Sequence, residues 1–267
     1  MTGNQQNRNS EFRVRKRYGQ NFLTDPNIIS KIIDAIDPQP ADHLVEIGPG
    51  RGALTDHLVQ TRAELDIIEI DRDLVDLLSD RYRDHSLKIH QADVLSFDFD
   101  SIRSHRPLRV VGNLPYNIST PLIFRLLEHA KGIEDMYLML QREVVDRLIA
   151  EPSTRDYGRL SIMAQYYCSI IKCFEVPPTA FRPRPKIFSA VVRLIPHKKP
   201  SREARDIRNL RRLVTHAFSQ RRKVLRNALK PLLSADEIST LGIDSKLRPE
   251  NITLDEYIRL SDLMGDP

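Results

Sequence analysis

Apolar positions along the first half of this chain recur at two spacings that take turns. Ile28, Ile29, Ile32, Ile33 and Ile36 fall on one helical face, opened by Asp25 as N-cap with Pro26 in the first turn and closed by Pro38 and Pro40. Short apolar runs at His43–Ile47, Leu65–Ile70, Leu87–His90, Leu108–Val111 and Met136–Leu140 predict five strands. Between them, Leu54 to Val59, the trio Leu74, Leu77 and Leu78, and the run Leu122 to Leu127 behind Ser119-Thr120-Pro121 predict helices. Strands alternating with helices argue for an α/β fold with a mostly parallel sheet covered on both faces.

The rhythm changes twice further on. Ile170 to Val176 and Phe188 to Ile195 predict a late antiparallel pair joined by a Pro-rich loop. Beyond the linker-like Pro196-His197-Lys198-Lys199-Pro200 the pattern is purely helical, with Leu210, Leu213, Val214, Ala217 and Phe218, then Leu225, Ala228, Leu229 and Leu232, in helical period. The expected organisation is a disordered polar tail over 1–12, an α/β domain over 13–196 and a small all-α domain over 201–267.

Composition adds exclusions. A chain of 267 residues, 40% apolar and 29% charged, is ordinary for a soluble globular protein of one large domain and one small one. No apolar run reaches the length of a membrane span, and Met1 to Ser10 has no hydrophobic segment, so a cytoplasmic protein is expected. The two cysteines, Cys168 and Cys173, read as reduced thiols, and the eight histidines show no metal spacing, so no metal is expected.

Charge is more informative by position than in total. From Lys198 to Lys230 there are twelve Lys or Arg against Glu203 and Asp206, a local net of +10 in a chain whose total is +5. Arg13, Arg15, Lys16 and Arg17 form a second basic cluster before Tyr18. A run of charge is often only a solvated helix surface. With so few acids to pair with, phosphate binding is the better reading, and Arg208, Arg212, Arg221, Arg222 and Lys223 are the candidate nucleic-acid contacts.

Two motifs carry candidate chemistry. Glu46-Ile47-Gly48-Pro49-Gly50-Arg51-Gly52 lies between the first sheet strand and a helix, where open α/β sheets bind nucleotide-like ligands. Glu69 closes the next strand, placed to accept from ribose hydroxyls, and Asp93 follows the third, placed to receive an adenine amine. Gly48, Gly50 and Ala53 also satisfy the loose dinucleotide fingerprint, so a nicotinamide dehydrogenase stays open on the loop alone.

Asn113-Leu114-Pro115-Tyr116 decides between them. Gly112 is expected to free the backbone to turn, after which come an amide side chain, a carbonyl fixed by the following proline, and an aromatic face. The adenine N6 amine is a poor nucleophile, and an enzyme that alkylates it needs acceptors for its N–H bonds as charge develops on nitrogen. The Asn113 amide oxygen and the Leu114 carbonyl are candidate acceptors, and Tyr116 a stacking surface. An Asn-led turn with a packed Tyr is the plain alternative. A dehydrogenase has no use for the motif, whereas an S-adenosylmethionine-dependent base methyltransferase does. A DNA adenine methyltransferase more typically carries Asp-Pro-Pro-Tyr.

Tyr18-Gly-Gln-Asn-Phe-Leu-Thr-Asp-Pro26, the Glu46 to Gly52 loop, Glu69-Ile-Asp71, Ala92-Asp93-Val94, Asn113-Leu-Pro-Tyr-Asn-Ile-Ser-Thr120, Phe181-Arg-Pro-Arg-Pro-Lys186 and Phe218-Ser-Gln-Arg-Arg-Lys223 together resemble the rRNA adenine N6,N6-dimethyltransferases, from Arg15 almost to the end. Leu114 and the Tyr18-Gly-Gln start favour the bacterial small-subunit type over the large-subunit type, which commonly carries Asn-Ile-Pro-Tyr. The resemblance implies a Rossmann-like class I methyltransferase sheet and S-adenosylmethionine held by Asn21, Leu23, Gly48, Glu69, Asp93 and Asn113. It gives Phe181 a role stacking on the target base opposite Tyr116, where the alternative is a hydrophobic plug. It also implies dimethylation of two adjacent adenosines in a 16S rRNA hairpin and a role on the immature 30S particle. A non-catalytic assembly factor on the same fold is the rival, and a monomer is expected.

Overall fold

The computed structural model describes residues 21–199 and 202–265; the polar tail, the basic cluster before Tyr18 and the last linker residue, Pro200, lie outside the described residues. In chain order the elements are β1 (Phe22–Leu23), α1 (Pro26–Ile36), β2 (His43–Ile47), α2 (Thr55–Leu58), β3 (Glu64–Glu69), α3 (Arg72–Arg81), β4 (Lys88–Gln91), β5 (Leu108–Asn113), α4 (Ser119–Glu128) and β6 (Ile133–Gln141). There follow α5 (Arg142–Leu148), α6 (Arg159–Tyr167), β7 (Cys168–Val176), β8 (Phe181–Arg182), β9 (Ser189–Pro196), α7 (Ile207–Ser219), α8 (Leu225–Ala228), α9 (Ala235–Thr240) and α10 (Leu254–Asp262).

Seven strands form one sheet in the order β4-β3-β2-β5-β6-β9-β7. The first five run parallel, and β9 enters antiparallel between β6 and β7. The alternation of side chains along each strand builds two cores. Leu44, Ile67, Val111, Tyr137 and Val191 face α1, α2 and α3, while Val45, Ile68, Val110, Leu138 and Val192 face α4, α5 and α6. Helix α1 begins as its sequence dictates, with Asp25 Oδ1 accepting from the backbone N–H groups of Asn27 (2.9 Å) and Ile28 (3.3 Å).

Three features depart from the expected pattern. Strand β5 runs on through Gly112 to Asn113, so Gly112 is a strand residue and not a turn. What requires glycine there is proximity, because a Cβ would meet the Ile47 carbonyl oxygen at 2.7 Å and Leu114 Cδ2 at 3.0 Å. Helix α6 carries no simple apolar stripe because both sides are covered. Leu160 and Ala164 pack into the sheet core, whereas Ile162 and Met163 pack into the helical C-terminal core. A two-residue ladder, β1 against β8, pairs Leu23 with Phe181 and is too short to leave a periodic signature.

The C-terminal helices do not close on themselves. Their core of Leu210, Leu213, Val214, Leu225, Tyr257 and Ile258 also includes Ala150, Tyr157, Ile162 and Met163 from before the linker. Polar bonds cross the same seam: Tyr157 donates to the Ile252 carbonyl (3.0 Å), and Arg211 reaches Glu128 (3.1 Å) and Tyr167 Oη (3.2 Å). Gly112→Ala should destabilise the protein by about 1–3 kcal/mol, because neither the Ile47 carbonyl nor β2 can retreat without breaking the ladder; urea unfolding of the two proteins measures it.

Candidate active site

At the carboxyl ends of β2, β3 and β5 the strand order reverses, and a cleft of about 1230 Å³, counting its open mouth, lies between the loops. The chain leaves β2 through Gly48 (φ 64°) and Gly50 (φ 58°), both in the left-handed region that favours glycine. The Gly48 N–H is tied to the Ile68 carbonyl at 2.9 Å. Phe22 from β1 lies against Gly50, where a Cβ would meet its ring at 3.0 Å. The loop is thereby pressed between the sheet and the first strand.

Two carboxylates face this space from the strand ends. Glu69, 6% exposed, takes the Asp71 N–H on Oε1 at 2.9 Å, and burial raises its pKa. Glu46, 2% exposed, accepts from Thr55 Oγ1 at 2.6 Å. Burial pushes its pKa up to about 7, the Thr55 bond opposes that shift, and the nearby Glu69 adds to it. Asp93 stands at the rim, its Oδ1 accepting from Leu95 N–H at 2.9 Å. Asn21, Leu23, Gly48, Gly50, Glu69, Asp93 and Asn113, expected at one site, all line this cleft. Glu46, Phe22, Arg51 and Ile70, which stand in the sequence motifs but carry no assigned role there, line it as well. Glu46 had a signal, a lone acid inside the apolar strand His43-Leu-Val-Glu-Ile47.

The four-residue motif closes the opposite wall. Asn113 ends β5, and its Nδ2 donates to the Asn21 carbonyl at 3.0 Å, which turns Oδ1 into the available acceptor. Leu114 is held by its N–H on the Met139 carbonyl at 3.1 Å. The Pro115 carbonyl accepts from Ile118 N–H (3.1 Å) and Ser119 Oγ (3.0 Å), locking the turn into α4. Tyr116 Oη lies 2.8 Å from Ser189 Oγ, so its ring is fixed at the edge of the cleft, and burial raises its pKa.

Phe181 is placed differently from the expected stacking role. It is 1% exposed in β8, packed in the core with Leu23 and Val176, and is not part of the cleft wall. In this structure it is the plug. The basic segment also divides. Arg221 is engaged by the Arg155 carbonyl (2.7 Å) and Glu250 (3.7 Å), and Arg208 forks onto Asp206, its own helix cap. Arg212, Arg222 and Lys223 are exposed and make no ion pair among the described residues.

Folding also assembles a group that sequence spacing could not show. His43, Glu64 and Asp66 bring ligand-type atoms within 4.8 Å of one another at the far end of β2 and β3. His43 Nε2 lies 2.7 Å from Asp66 Oδ2, and Lys88 Nζ lies 2.9 Å from Glu64. That is the geometry of a hydrogen-bonded charge cluster with its own cation.

A carboxylate at the end of β3, a glycine cradle after β2, and apolar Ile70, Val94 and Leu95 in the same lining as Glu69 and Asp93 fit S-adenosylmethionine. The fold and site define a class I methyltransferase, with S-adenosylmethionine as methyl donor. The chain belongs to the ribosomal RNA adenine dimethylase family, whose sequence model matches residues 11–266.

Relatives from Aromatoleum aromaticum (54% identical over 256 residues, 96% of each chain) and Marinobacter nauticus (51% over 254 residues, 95% of this chain and 92% of that one) are both ribosomal RNA small subunit methyltransferase A. A dimethyladenosine transferase from Plasmodium falciparum superposes with a TM-score of 0.78 at 25% identity, covering 90% of this chain and 95% of its own. The 23S rRNA methyltransferase ErmE shares the fold, with a TM-score of 0.70 at 24% identity over 91% of this chain and 98% of its own.

Glu46 makes a pH prediction for the cofactor-free protein. Its folded pKa, about 7, lies above its unfolded value of 4.5, so its neutral form is favoured by folding and its contribution fades as pH rises through 7. Glu46→Gln should therefore flatten the fall in Tm between about pH 5.5 and about pH 8 and leave the variant the more stable protein at the upper end. Thermal melts of both proteins across that range check it.

Proposed function

We propose that this enzyme transfers methyl groups from S-adenosylmethionine to N6 of two adjacent adenosines in a 16S rRNA hairpin, giving N6,N6-dimethyladenosines during small-subunit biogenesis. The observation that carries the reading is that Asn113 and Leu114, whose amide oxygen and carbonyl are the candidate acceptors, line the same cleft as the glycine loop, Glu69 and Asp93. Its supports are the small-subunit names of relatives more than half identical over nearly the whole chain. The setting that goes with it is the cytoplasm, with a monomeric enzyme acting on the immature 30S particle. Among the described residues no helix is long and apolar enough to cross a membrane.

Each residue has a defined task in this reading. A target adenine leaves its stack, which costs a few kcal/mol, and enters beside Tyr116. Ser189 ties down the Tyr116 hydroxyl, and the ring serves as the stacking surface for the base. Asn113, oriented by the Asn21 carbonyl, and Leu114 accept the N6 hydrogens, which withdraws the nitrogen lone pair from conjugation with the ring and frees it to attack. S-adenosylmethionine supplies an electrophilic methyl on a sulfonium, a leaving group that needs no protonation. Once methylated, the nitrogen is strongly acidic and gives its proton to water, so no side chain has to serve as general base, and catalysis rests on positioning.

Labelled methyl from S-adenosylmethionine should appear as dimethyladenosine in small subunits lacking that modification and not in large subunits or DNA. Cofactor binding with no label anywhere would instead favour an assembly factor. Asn113→Ala should lower kcat by about a hundredfold or more while RNA binding stays within about twofold, as single-turnover and binding assays would read. Exchanging Arg212, Arg222 and Lys223 for Gln should reduce the slope of log Kd against log salt by about 0.7 to 0.9 for each phosphate that the variant no longer neutralises.

A further inference from the structure

Large apolar side chains that face solvent are scattered over this molecule, but Ile187 (42% exposed) and Phe188 (45% exposed) are consecutive. They also sit on the cleft side of the sheet, next to a residue bonded to the cleft wall. Phe188 directly precedes Ser189, whose hydroxyl fixes Tyr116, and its carbonyl accepts from Arg142 N–H at 3.0 Å where β6 ends. This is the same end of the sheet as Asn113.

One cation lies over the exposed ring, and three more precede it in the chain. The Arg142 guanidinium lies over the Phe188 face at 5.7 Å, and its carboxylate neighbour, Glu175, is 3.9 Å away. Arg182, Arg184 and Lys186 are exposed in the same loop and make no ion pair among the described residues. The loop itself is firmly anchored. Phe181 is buried beneath it, the β1–β8 ladder holds Phe181 and Arg182 in register, and Thr24 N–H bonds the Ala180 carbonyl at 2.8 Å.

An exposed aromatic face beside a run of cations without carboxylate partners among the described residues, Arg182, Arg184 and Lys186, matches single-stranded nucleic acid, whose bases stack and whose phosphates need counter-charges. A protein partner would be better served by an apolar patch without that excess charge. We infer that Arg142, Arg182, Arg184, Lys186 and Phe188 form a docking ledge for the RNA strand beside the target adenine, with Phe188 stacking on the neighbouring base. The inference rests on the proposed reaction and locates where its substrate strand runs.

The test uses the full-length enzyme and a substrate hairpin carrying 2-aminopurine next to the target adenine, since stacking quenches that base. Wild type should quench it on binding. Phe188→Ala should lose the quenching and raise KM for the hairpin about tenfold, with kcat changing less, while Phe188→Trp should restore both. Arg184→Gln with Lys186→Gln should lower the salt dependence of binding and leave the cofactor-induced rise in Tm unchanged. Quenching and KM in Phe188→Ala equal to wild type, with transfer intact, would overturn the ledge alone. Phe188-dependent quenching without any methyl transfer would overturn the proposed reaction and leave the ledge standing. Weaker binding of Phe188→Ala to small-subunit proteins, with hairpin binding unaffected, would mark the patch as a protein interface and overturn the RNA assignment.

Discussion

The backbones of β2 and β5 approach so closely at Gly112 and Ile47 that no side chain fits between them, and that proximity sets the height of everything above the sheet. Asn113 is the next residue. Its amide therefore emerges level with the glycine loop that follows Ile47, and the Asn21 carbonyl can reach it from the first strand. A longer separation would tilt Leu114 away from Met139 and open the turn that Pro115 and Ser119 close. The acceptors of the site are thus held by sheet register and by the start of α4.

The two ends of the sheet meet opposite electrostatic conditions. At the lower end Arg109 satisfies Asp135 (2.9 Å), Asp42 (2.6 Å) and the Ile36 carbonyl (2.7 Å), and His43 and His90 both reach Asp66. For Asp66, burial pushes the pKa up, but the imidazole bonds outweigh it and leave the group below its ordinary range. At the upper end Glu46 and Glu69 are buried and both shifted upward. The lower cluster ties strands together. The upper one lines the cleft, where burial favours the neutral form of both carboxyls.

Much of this was legible in the chain, for a physical reason. Residues that touch a nucleoside sit at strand ends, where the apolar run stops and a polar or glycine residue must follow, so Gly48, Glu69, Asp93 and Asn113 could be picked out one by one and are found in one cleft. Less legible was anything set by approach in three dimensions. Gly112 looks like a turn glycine until its neighbour across the sheet is known, and Phe181 looks like a ligand contact until its burial is seen. Helix α6 is hidden because two cores share it. Arg221 counts as a free cation in the sequence, yet the fold already uses it against Arg155 and Glu250.

That shared core has a consequence for heredity. The Pro196–Pro200 stretch looks like a natural joint, yet the apolar interior on its far side is completed by Ala150, Tyr157, Ile162 and Met163 from its near side. A recombination event at the joint would deliver half an interior to the new host and leave the other half bare in the old one. The helical tail and the α5–α6 region must therefore be exchanged together or drift together, and the heritable unit of this protein crosses the boundary that its prolines mark.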